Sequence, residues 1–177
     1  MRVVAGEYKG RRLRSPRGFA TRPTSARTRE AVFSILGDIE GAAVLDLFAG
    51  SGALGIEALS RGAAHVVFVD DDAAAITAIA RNVEDIGVEP LRYLVAKADV
   101  RNAIPAREYD LVLIDPPYAQ AASLSPILAR ELPPLLRAGA RVVSESDRRA
   151  PLTLSLPVVL ERRYGDTLIR IHSADET

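Results

Sequence analysis

The sequence predicts an α/β fold in which helices cover both faces of a mostly parallel β-sheet. From residue 42 onward, apolar runs of strand length alternate with segments of helical periodicity. This alternation is typical of βαβ units, whose strands run in parallel. The last two apolar runs, by contrast, are joined through Gly165 by a connection of hairpin length. We therefore expect the sheet to end in an antiparallel hairpin, because such short turns join antiparallel strands.

Length and composition restrict the class of protein. The chain has 177 residues, which is enough for one domain with a substantial core. It contains no cysteine, which excludes disulfide bonds, a thiol nucleophile and cysteine-based metal sites. With only two histidines we expect no bound metal. The sequence shows neither an apolar run of membrane-spanning length nor a secretory signal pattern, so we expect a cytoplasmic protein without membrane contact.

Positive charge is concentrated at the start of the chain. Residues 1–30 contain nine Lys or Arg and only two Glu, although the whole chain has 23 basic and 23 acidic residues. The rest of the chain therefore carries an excess of acid. A basic segment on an acidic body indicates that a polyanion binds at this end of the molecule. Eight of the nine cations are Arg, which suits bidentate contact with phosphate.

This basic segment forms the first of two predicted regions. Residues 1–37 are assigned to a basic N-terminal extension, and residues 38–177 to the main domain. Within the extension we expect a short β-ribbon over residues 2–14 and a helix over about residues 25–36, capped by the hydroxyl residues just before it. Because the extension is too small for a core of its own, we expect it to pack against the main domain.

The main domain begins with a strand and then alternates. Residues 42–47 form a nearly continuous apolar run, as expected for a strand buried on both faces. The elements that follow in chain order are a helix over 51–61, a strand over 65–70, a helix over 72–86, strands over 91–96 and 109–114, a helix over 122–137, a strand over 140–145, and a hairpin over 158–164 and 166–172.

A glycine-rich turn follows the first strand and opens the next helix. Its glycines are Gly50, Gly52 and Gly55. The turn is expected at the carboxyl edge of the sheet, where ligands of such folds bind. With few side chains and with free amides at the helix start, it can admit a ligand close to the backbone.

Asp46 indicates which ligand the turn holds. It lies four residues before Gly50, so its carboxylate would repel the pyrophosphate of a dinucleotide. The same carboxylate favours S-adenosylmethionine, whose sulfonium and ammonium groups are both positive. The cofactor contacts predicted from this stretch are Asp46, Phe48, Ala49, Gly50, Ser51 and Gly52.

Acidic residues also follow the second and third strands. Asp70 and Asp71 lie about 20 residues beyond the turn, where a carboxylate can accept hydrogen bonds from the ribose hydroxyls of an adenosine ligand. Of these, Asp70 has the better position, whereas Asp72 is the expected cap of the next helix. Asp99, after the third strand, is a candidate for the adenine amino group.

The most specific motif is Asp115-Pro116-Pro117-Tyr118, which follows a buried strand. Two consecutive prolines stiffen the backbone and remove two amide donors, so the corner offers acceptors and one aromatic ring. Such a corner suits a planar amine. The Asp115 carboxylate and the Pro116 carbonyl would orient its nitrogen for attack on a methyl sulfonium, and Tyr118 would stack on the base.

The glycine turn and this corner resemble the cofactor and catalytic motifs of S-adenosylmethionine-dependent amino-methyltransferases. Members act on exocyclic amines of adenine or guanine, or on a glutamine amide. The resemblance is narrower to the bacterial small-subunit ribosomal RNA guanine-N2 methyltransferase family, which is similar to this chain over nearly its whole length. The segments that carry the narrower resemblance are residues 2–13, 22–24, 27–33 and 48–61.

The resemblance implies a Rossmann-like methyltransferase fold with a seven-stranded sheet. It also implies S-adenosylmethionine as cofactor and methylation of a guanine N2 in 16S rRNA, within the small ribosomal subunit or an assembly intermediate. We expect a monomer. The arginines chosen as RNA contacts are Arg11, Arg12, Arg22, Arg27 and Arg29.

Three alternatives remain open from the sequence. The motif does not separate guanine N2 from adenine N6, so an adenine-N6 methyltransferase on DNA or RNA is one of them. A protein glutamine N5-methyltransferase is the second, and it would not need the basic extension. The third is a non-catalytic RNA-binding factor that retains the cofactor fold.

Overall fold

The computed structural model describes residues 1–16 and 25–175. These residues form a seven-stranded sheet with the order β3-β2-β1-β4-β5-β7-β6, in which β1 to β5 are parallel and β7 is antiparallel to both of its neighbours. The predicted fold class is therefore confirmed. The strands are β1 (Ala43–Leu47), β2 (His65–Asp70), β3 (Tyr93–Lys97), β4 (Tyr109–Ile114), β5 (Leu136–Asp147), β6 (Val158–Tyr164) and β7 (Thr167–Ser173).

Four α-helices accompany the sheet in the described part of the chain, and local signals define their ends. Ser25 caps the first helix by accepting a hydrogen bond from the Thr28 amide, and Asp72 caps the third by accepting from Ala74 and Ala75. Both caps were predicted. None of these helices combines the length and apolar character needed to cross a membrane. The helices are α1 (Ala26–Leu36), α2 (Ala53–Ser60), α3 (Ala73–Ile86) and α4 (Ala121–Glu131).

The prediction was wrong where α4 meets β5. A helix was expected over residues 122–137, with Pro133 and Pro134 disrupting its last turn, but α4 ends at Glu131 and a short 3₁₀ turn occupies Pro133–Leu135. Consecutive prolines supply no amide donors for an α-helix, and their rings clash with the preceding turn. The chain therefore leaves the helix early, and β5 starts at Leu136 instead of residue 140.

The N-terminal segment, residues 1–14, and helix α1 share the core of the main domain. Val3, Tyr8 and Phe33 are buried in the same hydrophobic cluster as Val44 of β1 and Phe68 of β2. The expected β-ribbon is reduced to one isolated bridge between Arg2 and Arg12. Backbone hydrogen bonds from Val3 to the Arg11 carbonyl and from Leu13 to the Met1 carbonyl (both 3.0 Å) still join the two halves of the segment, and apolar packing attaches it to the main domain.

Two side chains of α2 anchor the N-terminal segment. The carboxylate of Glu57, which has no exposed surface, accepts hydrogen bonds from the amides of Val4 (2.8 Å) and Ala5 (3.0 Å). The Ser60 hydroxyl accepts one from the Tyr8 amide (2.9 Å). At Gly6 the segment approaches α2 so closely that an added Cβ would lie 1.7 Å from the Ser60 carbonyl oxygen. The segment is thus docked by backbone contacts that local sequence patterns do not show.

Candidate active site

Four neighbouring strands each place an acidic side chain at or near the carboxyl edge of the sheet. In sheet order from β2 to β5 these are Asp70, Asp46, Asp115 and Glu145. Asp46 and Asp70 are buried, and Glu145 is 7% exposed. The parallel order brings together the first three as predicted, whereas Glu145 was not predicted. An edge rich in carboxyl groups favours positively charged or amine-bearing ligands.

The glycine turn lies between β1 and α2 and has a left-handed backbone at several positions. Gly50 and Gly52 have φ angles of 56° and 77°, and Phe48 has a φ of 61°. A positive φ is uncommon for a bulky residue and costs free energy, so it marks local strain beside the predicted ligand site. The sequence signals the glycines but not the strained Phe48.

Asp46 is held by the helix that follows the turn. Its Oδ2 accepts a hydrogen bond from the Gly55 amide at 2.9 Å. A Cβ added at Gly55 would lie 2.4 Å from Cε1 of Phe68, so only glycine lets α2 come this close to the sheet. Burial raises the pKa of Asp46 to about 8, opposed by the Gly55 hydrogen bond and reinforced by the charges of Asp115 and Asp70. A cation at this position would stabilise the ionised carboxylate.

The pKa of Asp46 predicts a pH dependence of stability. Its value rises from 3.8 to about 8 on folding, so between these limits the folded state holds a proton that the unfolded state has lost. The free energy of unfolding should therefore fall as pH rises from 5 to 8. Asp46→Asn should remove this contribution, so we expect the wild-type value to decline relative to the variant by about 1 kcal/mol per pH unit. Urea unfolding without cofactor measures it, and parallel pH profiles would contradict the assignment.

Asp70 supports the turn from the neighbouring strand. Its Oδ2 accepts a hydrogen bond from the Gly50 amide (2.8 Å), and its Oδ1 accepts from Asp72 (3.0 Å). Burial raises the pKa of Asp70, although these two hydrogen bonds oppose the shift. A carboxylate with two oxygens has lone pairs beyond these two bonds, so Asp70 can shape the turn and also accept from a ligand hydroxyl. Asp71, by contrast, is exposed.

Asp99 is already engaged within the protein. Its carboxylate accepts hydrogen bonds from the Arg101 amide (2.9 Å) and from Nε of the same residue. This contact lowers the pKa of Asp99. An adenine amino group would therefore have to share the Asp99 carboxylate with Arg101.

Asn82 of α3 links the glycine turn to the N-terminal segment. Its Nδ2 donates to the carbonyl of Ser51 (2.8 Å) and to that of Arg14 (2.9 Å), while its Oδ1 accepts from the Arg14 amide (2.8 Å). The side chain is fully buried. The sequence prediction missed this residue. The sequence offers one indication of its role: the polar side chain of Asn82 lies on the apolar face of α3, between Ile79 and Val83.

The corner after β4 combines a shielded backbone with an exposed ring. Pro116 is buried, Pro117 is exposed, and the Pro117 carbonyl accepts a hydrogen bond from the Gln120 amide (2.8 Å). The Tyr118 hydroxyl lies 3.0 Å from Oγ1 of Thr167 and donates to Oε1 of Glu145 at 3.4 Å. Burial raises the pKa of Tyr118, so this hydroxyl remains protonated near neutral pH. These contacts hold the ring at the edge of the site.

The arginines predicted to bind RNA do not share one environment. Arg11, Arg12 and Arg27 are exposed, as an RNA contact requires. Arg29 is only 1% exposed, and its Nη2 donates to the carbonyl of Arg2 at 2.8 Å, so its assignment as an RNA contact is wrong. It instead joins α1 to the N-terminal segment. Arg22 lies outside the residues that the structure describes.

Comparison with known proteins places the chain in a family. The family model described as "Conserved hypothetical protein 95" matches residues 1–173. "Putative rRNA methyltransferase YlbH" of Bacillus subtilis (strain 168) is 35% identical over 97% of this chain and 98% of its own length. "Ribosomal RNA small subunit methyltransferase D" of Escherichia coli (strain K12) is 36% identical over 67% of this chain and 60% of its own length.

A solved structure, "Putative methyltransferase yhhF from Escherichia coli", superposes with a TM-score of 0.83 at 28% identity, covering 98% of this chain and 97% of that chain. Another solved structure of this fold, "Crystal structure of RNA methyltransferase from Salinibacter ruber in complex with S-Adenosyl-L-homocysteine", superposes with a TM-score of 0.68 at 20% identity, covering 88% of this chain and 95% of that chain. Together with the methyltransferase relatives, it confirms the prediction of S-adenosylmethionine as cofactor. The chain therefore belongs to the Conserved hypothetical protein 95 family, a family of rRNA methyltransferases.

Proposed function

We propose that this protein transfers a methyl group from S-adenosylmethionine to the exocyclic N2 amine of a guanine in 16S rRNA of the small ribosomal subunit. The observation that carries the proposal is the corner of Asp115, Pro116 and Tyr118 beside the acidic edge of a methyltransferase fold. Names of the relatives support rRNA as the substrate class. The acceptor corner supports an amine as the group that is methylated.

The residues around the glycine turn fit the cofactor. Within the described residues, a Cβ added at Gly50 would meet nothing nearer than the Phe48 carbonyl oxygen at 3.9 Å, so the turn leaves open space above this glycine. Asp46 would hold the cationic part of the cofactor, and Asp70 would accept from its ribose. When bound, S-adenosylmethionine supplies an electrophilic methyl group on a positively charged sulfur.

The chain's own residues would prepare the amine. The Asp115 carboxylate and the Pro116 carbonyl would accept hydrogen bonds from the two N–H groups of the amine. These bonds would orient the nitrogen lone pair toward the methyl donor. Both acceptors also favour the positive charge that develops on nitrogen as the bond forms. An amine becomes strongly acidic once it is methylated, so its proton can pass to Asp115 or to solvent without a separate base.

A basic groove on the N-terminal segment supports binding of RNA phosphates. The groove has a volume of about 750 Å³, and four arginines and one acidic residue line it. Arg14 pairs with Asp85 at 3.0 Å, whereas Arg11 and Arg12 are exposed. Arginine-rich surfaces bind the phosphate backbone in a salt-dependent way. The groove is lined by Met1, Arg2, Arg11, Arg12, Leu13, Arg14, Asp85 and Ile86.

Two substitutions of Tyr118 separate stacking from hydrogen bonding. Tyr118→Phe loses the contacts to Thr167 and Glu145 but keeps the ring, so we expect kcat/KM for methylation to change less than about fivefold. Tyr118→Ala also loses stacking on the target base, and kcat/KM should fall roughly 10- to 100-fold. Steady-state kinetics on methyl-deficient small subunits measure both variants. Equal losses in the two variants would show that the hydroxyl, not the ring, matters.

The proposed function is tested by mapping the modification. Deletion of the gene should remove one N2-methylguanosine from 16S rRNA, detected by nuclease digestion and mass spectrometry. The purified protein should restore it on small subunits from the deletion strain. Loss of an N6-methyladenosine instead, or of a methylated glutamine in a protein, would replace the proposal by the corresponding alternative.

A further inference from the structure

Glu145 lies beside the proposed amine corner. Ile114 of β4 pairs with Ser144 of β5, and neighbouring strands lie about 5 Å apart. Asp115, directly after β4, and Glu145 of β5 each follow one member of this pair. Glu145 also contacts the Tyr118 hydroxyl at 3.4 Å. The corner therefore contains a second carboxyl group, which the proposed reaction at the amine does not use.

The sheet register places Glu145 on the cofactor face. Asp46 pairs with Leu113, and Leu113 pairs with Val143, so the three side chains share one face of the sheet. Glu145 lies two residues beyond Val143 in the same strand and therefore faces the same way. Glu145 is only 7% exposed, and hydrogen bonds are stronger in such a buried environment than at the surface.

Guanine and adenine differ at the edge that would meet this carboxyl group. Next to its exocyclic N2 amine, guanine carries an N1–H donor. Adenine carries an unprotonated N1 acceptor next to its N6 amine. Two adjacent carboxylates can accept hydrogen bonds from the N1–H and the N2 amine of guanine. With adenine, the unprotonated N1 would face a carboxylate oxygen, and no proton would lie between these two acceptors.

We propose that Glu145 is a specificity-determining residue that accepts the N1–H of the target guanine while Asp115 and Pro116 hold its N2 amine. This inference rests on the proposed function and adds the reason for its choice of base. A flipped base is read by hydrogen bonds along its Watson–Crick edge and by stacking, which Glu145 and Tyr118 would provide.

The test compares Glu145→Gln with the wild-type protein on two substrates. One is the small subunit with the mapped guanine, and the other carries 2-aminopurine at that position. This analogue keeps the 2-amine but has an unprotonated N1. We expect the wild-type protein to prefer guanine by about 100-fold in kcat/KM or more. The variant should lose roughly 10- to 100-fold on guanine. Its preference for guanine should narrow at least tenfold, because a glutamine amide can donate to the unprotonated N1.

Controls separate this role from a structural one. Glu108→Gln, a substitution at an exposed residue directly before β4, should leave both rates unchanged. If Glu145 only supported Tyr118, both substrates would slow equally and the preference would stay at the wild-type value, which would overturn the inference. An unchanged rate on guanine would overturn it as well. Wild-type inactivity on the guanine subunits would overturn the proposed function itself.

Discussion

Replacing Asp115 with asparagine is expected to lower kcat for methyl transfer about 10²- to 10³-fold. The substitution keeps the shape of the side chain but removes the negative charge and turns one acceptor into a donor that faces the amine. The charge is needed most in the transition state, where the nitrogen becomes positive, so the loss should fall on kcat more than on KM. Single-turnover kinetics on methyl-deficient small subunits measure the chemical step directly.

Cofactor affinity provides the internal control for this variant. The charge of Asp115 raises the pKa of Asp46. In Asp115→Asn this charge is lost and Asp46 is ionised more readily, so the affinity for the cofactor near neutral pH should stay unchanged or rise slightly. Calorimetric titration with S-adenosylhomocysteine measures that affinity. The exposed Asp38→Asn should affect neither quantity. A decrease in kcat of less than tenfold would contradict the role assigned to Asp115. A loss of cofactor affinity as large as the loss of kcat would contradict it as well.

The sheet, the glycine turn and the three aspartates of the site were predictable because their sequence patterns are local. Apolar runs, caps such as Asp72 and the glycine turn each depend on residues that are close in sequence. The parallel order then follows from the βαβ alternation, and it brings Asp46, Asp70 and Asp115 to one edge without further information. The error near Pro133 and Pro134 was one of boundaries: the prolines were expected to disrupt the last turn of the helix, but they end it.

The rest could not be predicted because it depends on contacts between distant residues. The charge pattern placed Arg29 among the exposed RNA contacts. In the structure Arg29 is buried instead, and it donates a hydrogen bond to a carbonyl 27 residues earlier in the chain. Asn82 and Glu145 appear in sequence as ordinary polar residues of a helix and a strand. Only the packed structure shows that Asn82 spans from Ser51 to Arg14 and that Glu145 adjoins Tyr118.

A substitution of Glu57 should cost a large part of the stability of the protein. In Glu57→Ala the amides of Val4 and Ala5 lose their acceptor, and Arg61 loses the carboxylate that lies 2.9 Å from its Nε. Breaking such a buried charged network costs about 3–5 kcal/mol. For a chain of this length the melting temperature should fall by about 6–20 °C. Thermal unfolding followed by circular dichroism measures it.

The loss should be local as well as global, because Glu57 holds the N-terminal segment on α2. Hydrogen exchange at Val4 and Ala5 should accelerate in Glu57→Ala more than exchange in β1 or β4, which do not contact the lost carboxylate directly. Glu84→Ala, an exposed substitution on α3, is the matched control and should leave both measurements near wild type. Since the segment carries Arg11 and Arg12, its release should also weaken RNA binding. A variant that keeps wild-type exchange at Val4 and Ala5 would show that apolar packing of Val3 and Tyr8 is sufficient to dock the segment.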